Sequence, residues 1–504
     1  MVGVIKREKY FLISLFLFAF FIRAFVFNFY LSKNKNYWQV DSNTYHIVAQ
    51  GIAQGEGIGI KDGPCFYRLP GYSLFLSLYY KLFGVDTKNV LWVQIFLSSF
   101  IPIFIFFLSL VLFAGNFWLA KIASGYSAIH LGLVLYSGFF MTESLFIFFF
   151  LLFAILFFSS FHLFFCGVPF WRKFIQKDFN LAAQPCPHYI CSGPSFIELC
   201  QDLEAAKERE HKIFTLKKLF FAGIFLGIAS LIRPVGHYLI VLSIIALFFS
   251  RGLFKDKIKK SLILFVGWFV VVCWWLLRNF LLTGYIFFHT LPGGHFLHFS
   301  AARIAMYEQN CSYDQAKDFL RKKVSQLANE KQKILGRPLN EPELCNLQLE
   351  LAKTYFRKHP FLALKHWLTD ILRTKLSLYS AELLYLDSGR QEFDCFSRQR
   401  TIWSMFARYF WPQTKNVFLR FVVLWEILTF FFIVLGFVFG LLLVLFRRKY
   451  LCPWLKVLPL MVLFIIIGLA GGYSRMRLPV EPFLIILSFS FWIELFQLKK
   501  FKIL

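Results

Sequence analysis

The chain has 504 residues, 58% hydrophobic and 20% aromatic, with 69 Phe and a formal net charge of +27. Only 16% are charged, against about 25% in soluble domains, and apolar runs long enough to cross a bilayer recur throughout, which excludes a soluble globular protein. The basic residues fall mainly in loops and at helix ends, where they orient helices and attract anionic lipid, so nucleic acid is excluded as the partner.

About ten spans are expected, at 10–30, 89–113, 117–138, 143–165, 217–232, 235–250, 261–277, 417–446, 455–471 and 478–497. The first has no small-residue cleavage site behind it and reads as a retained anchor rather than a signal peptide. With the N-terminus inside, the segments "KREK", "SRGLFKDKIKK", "RRKYLCPWLK" and "LKKFKIL" are cytoplasmic, and each is short and basic, as the positive-inside rule requires. The expected organisation is an N-terminal membrane core over 1–277, an extracytoplasmic segment over 278–416 and C-terminal membrane helices over 417–504. The core carries a first outer loop at 31–88 and a cytoplasmic insert at 166–216.

The outer loop opens with "VDSNTYHIVAQGIAQGEGI". Tyr45, Val48, Ala49, Ile52 and Ala53 recur at helical spacing, giving a short amphipathic helix along the membrane surface. Asp41 or Ser42 can serve as its N-cap, and Gly55 and Gly57 end it. Next comes "CFYRLPGYSLFLSLYYKLFG", in which Arg68 precedes a Pro-Gly turn and a second interfacial helix. An arginine at that depth costs free energy unless it meets an anion such as a lipid phosphate.

Further along, Glu143 stands at the outer end of its span, and Arg233-Pro234 breaks the fifth from the sixth. The insert holds Cys186, His188, Cys191 and Cys200, whose spacing is not a zinc pattern; reduced thiols are expected there. Cys65, Cys311, Cys345 and Cys395 fall on the oxidising side, where bridges can form in a pairing that sequence does not specify. His289 and His295 lie in "FFHTLPGGHFLHFS", read as interfacial histidines among aromatics, although both stand within reach of an outer phosphate. The chain contains no Walker loop, dinucleotide fingerprint or HExxH, which argues against an ATP-driven pump.

"VDSNTYHIVAQGIAQGEGI … FYRLPGYSLFLSLYYKLFG" resembles the first outer loop of the polyprenyl-phosphate-sugar-dependent GT-C glycosyltransferases, bacterial relatives of protein O-mannosyltransferases and of the lipid A aminoarabinose transferase. The likeness continues in order through "MTESLF", "LIRP", "WWLLRNFLLTG" and "YSRMRLPVEPFLIIL". It departs at Ser42, where better-known members carry Glu, and at Ser73, where Pro is usual. The insert and much of 290–416 lie outside it.

The resemblance implies an all-α polytopic GT-C-type bundle with interfacial helices in the first outer loop. It implies an inverting glycosyltransferase in a bacterial-type inner membrane, with its site facing the exterior. The donor would be a polyprenyl-phosphate-linked sugar and the acceptor a lipid, glycan or protein. It names no cofactor; a divalent metal is possible, because the class contains metal-dependent and metal-independent members. Asp41 takes the place of the family's critical Asp, as base or as an acceptor- or metal-orienting carboxylate.

Arg68, Arg233, Arg278, Arg475 and Arg477 fall at outer ends of spans and form the candidate phosphate clamp. Tyr45, Tyr67 and Glu143 are the candidate substrate-binding residues. Each arginine alone could simply anchor a helix end; five, with no matching outer acid cluster, favour an anion site. The rival readings are a transporter or flippase of lipid-linked sugars and a structural assembly subunit. Against a transporter, the chain shows no internal repeat, and the carboxylate loop lies outside rather than at the midplane.

Overall fold

The structure is a computed structural model that describes residues 2–60, 63–160, 214–250, 252–388, 414–446, 451–467 and 474–502. Among these, seven helices are long and apolar enough to cross a membrane: Lys9–Leu31, Asn89–Leu112, Glu143–Ser160, Phe214–Ile232, Phe254–Thr283, Val417–Val444 and Ser474–Gln497. An eighth span is the pair Phe117–Ile129 and Leu131–Gly138, bent by 49°. The remaining two expected spans appear as shorter apolar helices, Val235–Phe248 and Pro453–Phe464. The chain is thus an all-α polytopic membrane protein, as expected, with a two-residue hairpin pairing Gly59–Ile60 and Gly63–Pro64 as the sole sheet among the described residues. The insert residues Cys186, His188, Cys191 and Cys200 lie outside the described residues, as does Cys395.

Apolar packing forms one large core that runs from Phe27 and Tyr37 through Tyr72, Phe146 and Trp275 to Phe483. A separate core joins Leu297, Ala302, Leu320 and Leu351. It belongs to the helical turn Phe296–Ala301 and to helices Ala302–Glu308, Tyr313–Leu335 and Glu341–Lys358. Both long helices of this core start in complete capping boxes, Ser312 with Gln315 and Asn340 with Glu343, which satisfies their first free amides.

The bend at residue 130 has an identifiable cause. His130 is extended (φ −61°, ψ 117°), and its Nδ1 accepts from Leu133 N at 3.4 Å, so it caps the second half of the pair. Such a break frees carbonyls that lipid cannot satisfy. Arg23, 1% exposed within the first span, supplies one donor, bonding Ala128 O at 3.3 Å as well as Ala19 O at 3.0 Å.

Two helices, α1 (Ser42–Gln54) and α2 (Pro70–Phe83), build the connection between the first two spans. Tyr45, Val48 and Ala49 bury one face of α1, and Gly55 ends it in the left-handed region at φ +84°, where a side chain would be strained. Tyr45 meets Tyr72 edge-on at 5.2 Å between ring centroids, and Ser73 Oγ donates to Tyr45 O at 3.2 Å. Gly71 packs so tightly that an added Cβ would lie 2.7 Å from Leu231 O. That contact docks α2 on the span end that carries Arg233.

Buried Gln94 ties the loop to the bundle: it accepts from Tyr72 Oη at 2.9 Å and donates to the carbonyls of Ser137 (2.9 Å) and Phe139 (2.8 Å). Gln94→Leu strands three buried polar groups. Each costs about 1–3 kcal/mol when left unsatisfied, so thermal unfolding of the variant should show a marked fall in melting temperature.

Candidate active site

Asp41 sits at the N-cap position of α1, yet its side chain makes no capping bond. Ser42, fully buried, takes the local role: its Oγ accepts from Gln39 N at 2.9 Å and donates to Phe140 O at 2.8 Å. The Asp41 carboxylate is thereby free to turn away from the helix. Its Oδ1 accepts from Arg68 Nη2 at 2.6 Å and its Oδ2 pairs with Arg475 Nη1 at 3.1 Å. The three residues come from the start of α1, the turn before α2 and the Ser474–Met476 turn.

Burial pushes the Asp41 carboxyl up, but Arg475 and Arg68 outweigh it and hold the group below its ordinary value. Asp41 is therefore charged at neutral pH. Because the folded value is depressed, the pairing contributes stability above the unfolded carboxyl range and loses it as pH falls through the folded value.

A second ion pair lies beside the first. Glu143 Oε1 meets Arg233 Nη1 at 2.8 Å, and Arg233 Nη2 lies 3.6 Å from Met476 Sδ, under the turn that carries Arg475. Tyr45 lies in the field of Arg68, Asp41, Glu143 and Arg233 together, and burial raises its hydroxyl. Arg68 stacks over both Tyr45 and Tyr67, at 5.3 and 4.6 Å. Pairs of this kind fix a guanidinium plane while leaving its edge for an anion.

Two of the five arginines do other work. Arg278 donates to Ile58 O at 2.7 Å and to Asn279 Oδ1 at 3.0 Å, holding the loop hairpin to its span. Arg477, 3% exposed, pairs with Glu481 at 2.5 Å and donates to the carbonyls of Thr374, Lys375 and Ser377. Tyr379 Oη donates to the same Glu481 at 2.9 Å. Arg477→Ala leaves Glu481 buried beside a lost cation, a change that costs about 3–5 kcal/mol. Its melting temperature should fall well below that of Arg475→Ala in side-by-side unfolding measurements.

The expectation that outer arginines lack matching acids is corrected: Asp41, Glu143 and Glu481 each pair with one or two of them. These acids lie far apart in the chain, so no cluster is visible until it folds. Sequence reasoning also missed Glu382. Tyr136 Oη donates to it at 3.2 Å, and it faces Arg475; burial raises its carboxyl against the pull of that arginine. A lone acid in "SLYSAELLYL" is its only sequence signal.

His295 also neighbours the cluster. Burial, then Arg475 and Arg68, push it down to about 4, so it is neutral at pH 7. His289 is likewise lowered to about 4 by burial and by His295. Cys65, Cys311 and Cys345 are free thiols. Among the described residues no three His, Cys, Asp or Glu side chains are grouped to hold a metal ion.

No protein-family profile matches the chain, and no curated protein matches it. Among solved structures it is similar to the oligosaccharyltransferase of Archaeoglobus fulgidus in the apo form, with a TM-score of 0.49 and 14% identity over 98% of this chain and 52% of that one. It is also similar to the same organism's AglB in complex with an inhibitory peptide and a dolichol-phosphate (TM-score 0.46, 12% identity, 95% of this chain and 50% of that one). A third similar structure is ArnT from Cupriavidus metallidurans bound to undecaprenyl phosphate (TM-score 0.32, 11% identity, 88% and 73%). The chain spans about half the length of the archaeal chains it matches. Likeness this distant carries no argument about chemistry.

Proposed function

We propose that the chain is a GT-C-type membrane glycosyltransferase that moves a sugar from a polyprenyl phosphate to a lipid, glycan or protein acceptor. The observation that carries this reading is the Asp41 carboxylate held between Arg68 and Arg475 beside the Glu143–Arg233 pair. A carboxylate bridging two guanidiniums occupies a position that a phosphate monoanion also fits. The donor phosphate takes over Arg68 and Arg475, and Asp41, released from both, regains its basicity.

The acceptor oxygen then attacks the anomeric carbon in line, and a new C–O bond forms as the bond to the donor phosphate oxygen breaks. The phosphate leaves with the electron pair, stabilised by the arginines, and Asp41 takes the acceptor's proton. One displacement inverts the anomeric centre. The lipid tail needs an apolar approach, which the spans provide. The short basic segments support an orientation with 31–88 and 278–416 outside and 166–216 inside, and the reading takes the membrane to be a bacterial-type plasma membrane.

The bent pair Phe117–Ile129 and Leu131–Gly138 is the observation that favours the rival, a flippase of lipid-linked sugars, because broken helices are a transporter trait. Sealed vesicles containing purified protein and a polyprenyl phosphate labelled in its sugar separate the two. A transferase releases free polyprenyl phosphate and moves label to an acceptor in an added membrane extract. A flippase changes the leaflet of an intact donor, and that outcome would end the transferase reading.

A further inference from the structure

Beside the Asp41 cluster lies a cavity of about 280 Å³, whose lining includes Tyr67, Thr290, Gly294, His295, Glu341 and Gln348. A few polar groups converge in it between apolar walls, and Tyr67 joins it to the cluster, since Arg68 stacks 4.6 Å over that ring. We propose that this cavity is the acceptor subsite and that it takes one neutral pyranose ring of a glycan or glycolipid. The assignment rests on the transferase reading above and narrows its acceptor class.

Its lining has the chemistry of polyol recognition. Glu341, which accepts from Thr290 Oγ1 and from the Phe66 backbone amide, lines the cavity with its carboxylate. The Gln348 amide and the His295 ring face the cavity and make no hydrogen bond among the described residues. Together these groups offer donors and acceptors at several angles, with no cation in the lining. Phe299 and Tyr67 add apolar faces for the ring's C–H side. Pockets combining apolar walls with a few convergent polar groups are typical small-molecule sites, and this one lies near the lower end of their size range.

Position favours the acceptor over the donor sugar. The donor's anomeric carbon is tied to a phosphate at the arginines, at membrane level. The cavity opens among residues 290–348, outside the spans, where a water-borne or glycolipid hydroxyl group arrives.

The two glycines of "LPGGH" allow a clean test. An added Cβ at Gly293 would lie 2.6 Å from Cys345 O, so that glycine belongs to the fold. At Gly294 the nearest atoms are 3.8 and 3.9 Å away, so a side chain there fills the cavity and leaves the backbone in place. Binding of methyl hexopyranosides and methyl pentopyranosides is measured by ligand-observed NMR on the full chain in nanodiscs, for wild type, Gly294→Val and Gln348→Leu. At least one glycoside should bind saturably. Its Kd should rise about tenfold or more in both variants, as when a pocket is filled or loses a hydrogen-bonding group, with melting temperatures unchanged.

Polyprenyl-phosphate mannose and glucose are then added. An acceptor subsite keeps the methyl glycoside, whereas displacement shows a donor-sugar site and overturns the assignment. So does the absence of any pyranoside binding, or unchanged binding in both variants. The readout is binding, not turnover. A chain that binds glycosides in this cavity but never consumes donor would refute the transferase reading and leave the saccharide site standing.

Discussion

Asp41→Asn is expected to lower glycosyl transfer by about 10²-fold or more, the usual contribution of a general base. Asn keeps the shape of the side chain but loses its negative charge and nearly all its basicity. The same change weakens the ion pairs to Arg68 and Arg475, so some stability goes with the activity, about 1–3 kcal/mol for partners left incompletely satisfied. Ser42→Ala provides the contrast. Ser42 Oγ bonds Gln39 N and Phe140 O and touches nothing in the ion-pair cluster, so its loss should lower the melting temperature while turnover per folded molecule holds. Full turnover in Asp41→Asn would leave the carboxylate as a structural tie between two arginines.

Arg475→Ala and Arg68→Ala carry the second large effect. Each removes a charge-assisted donor from the proposed phosphate position and should weaken donor use by about 1.5–3 kcal/mol, read as a fall in kcat/KM for the lipid donor. Lys should restore part of the loss at either position, because an ammonium keeps the charge without the planar fork. The stacking of Arg68 over Tyr45 and Tyr67 makes its replacement the harder to rescue. Unchanged donor kinetics in both alanine variants would reduce these arginines to helix anchors.

The two helices after the first span were legible in the sequence because their signals are local. Helical spacing from Tyr45, the glycine stop at Gly55 and the Pro-Gly start at Pro70 each act within a turn or two, and the helices Ser42–Gln54 and Pro70–Phe83 follow them. The charge cluster was not legible, because Asp41 meets Arg475 from the far end of the chain and Glu143 meets Arg233 across a separate span. Arg477 with Glu481, one helical turn apart, was the pairing that local spacing could have found.

Arg475 and Arg477 look equivalent in "YSRMRLP", yet they part company. Two residues apart on tight turns of three residues, they point to different sides. One reaches Asp41 and the other the buried Glu481. The break at His130 was hidden for a related reason. No proline marks it, and it depends on a cap from the histidine ring and on Arg23 from another span.

The exchange of partners at the arginines is open to one direct measurement, the Kd of sugar-free polyprenyl phosphate for wild type and for Asp41→Asn. If Asp41 holds the place of the phosphate, removing its charge removes a competitor, and the variant binds the lipid phosphate as tightly as wild type or more tightly even as its turnover collapses. Weaker binding in Asp41→Asn, with turnover retained, would contradict that exchange and place the donor phosphate elsewhere.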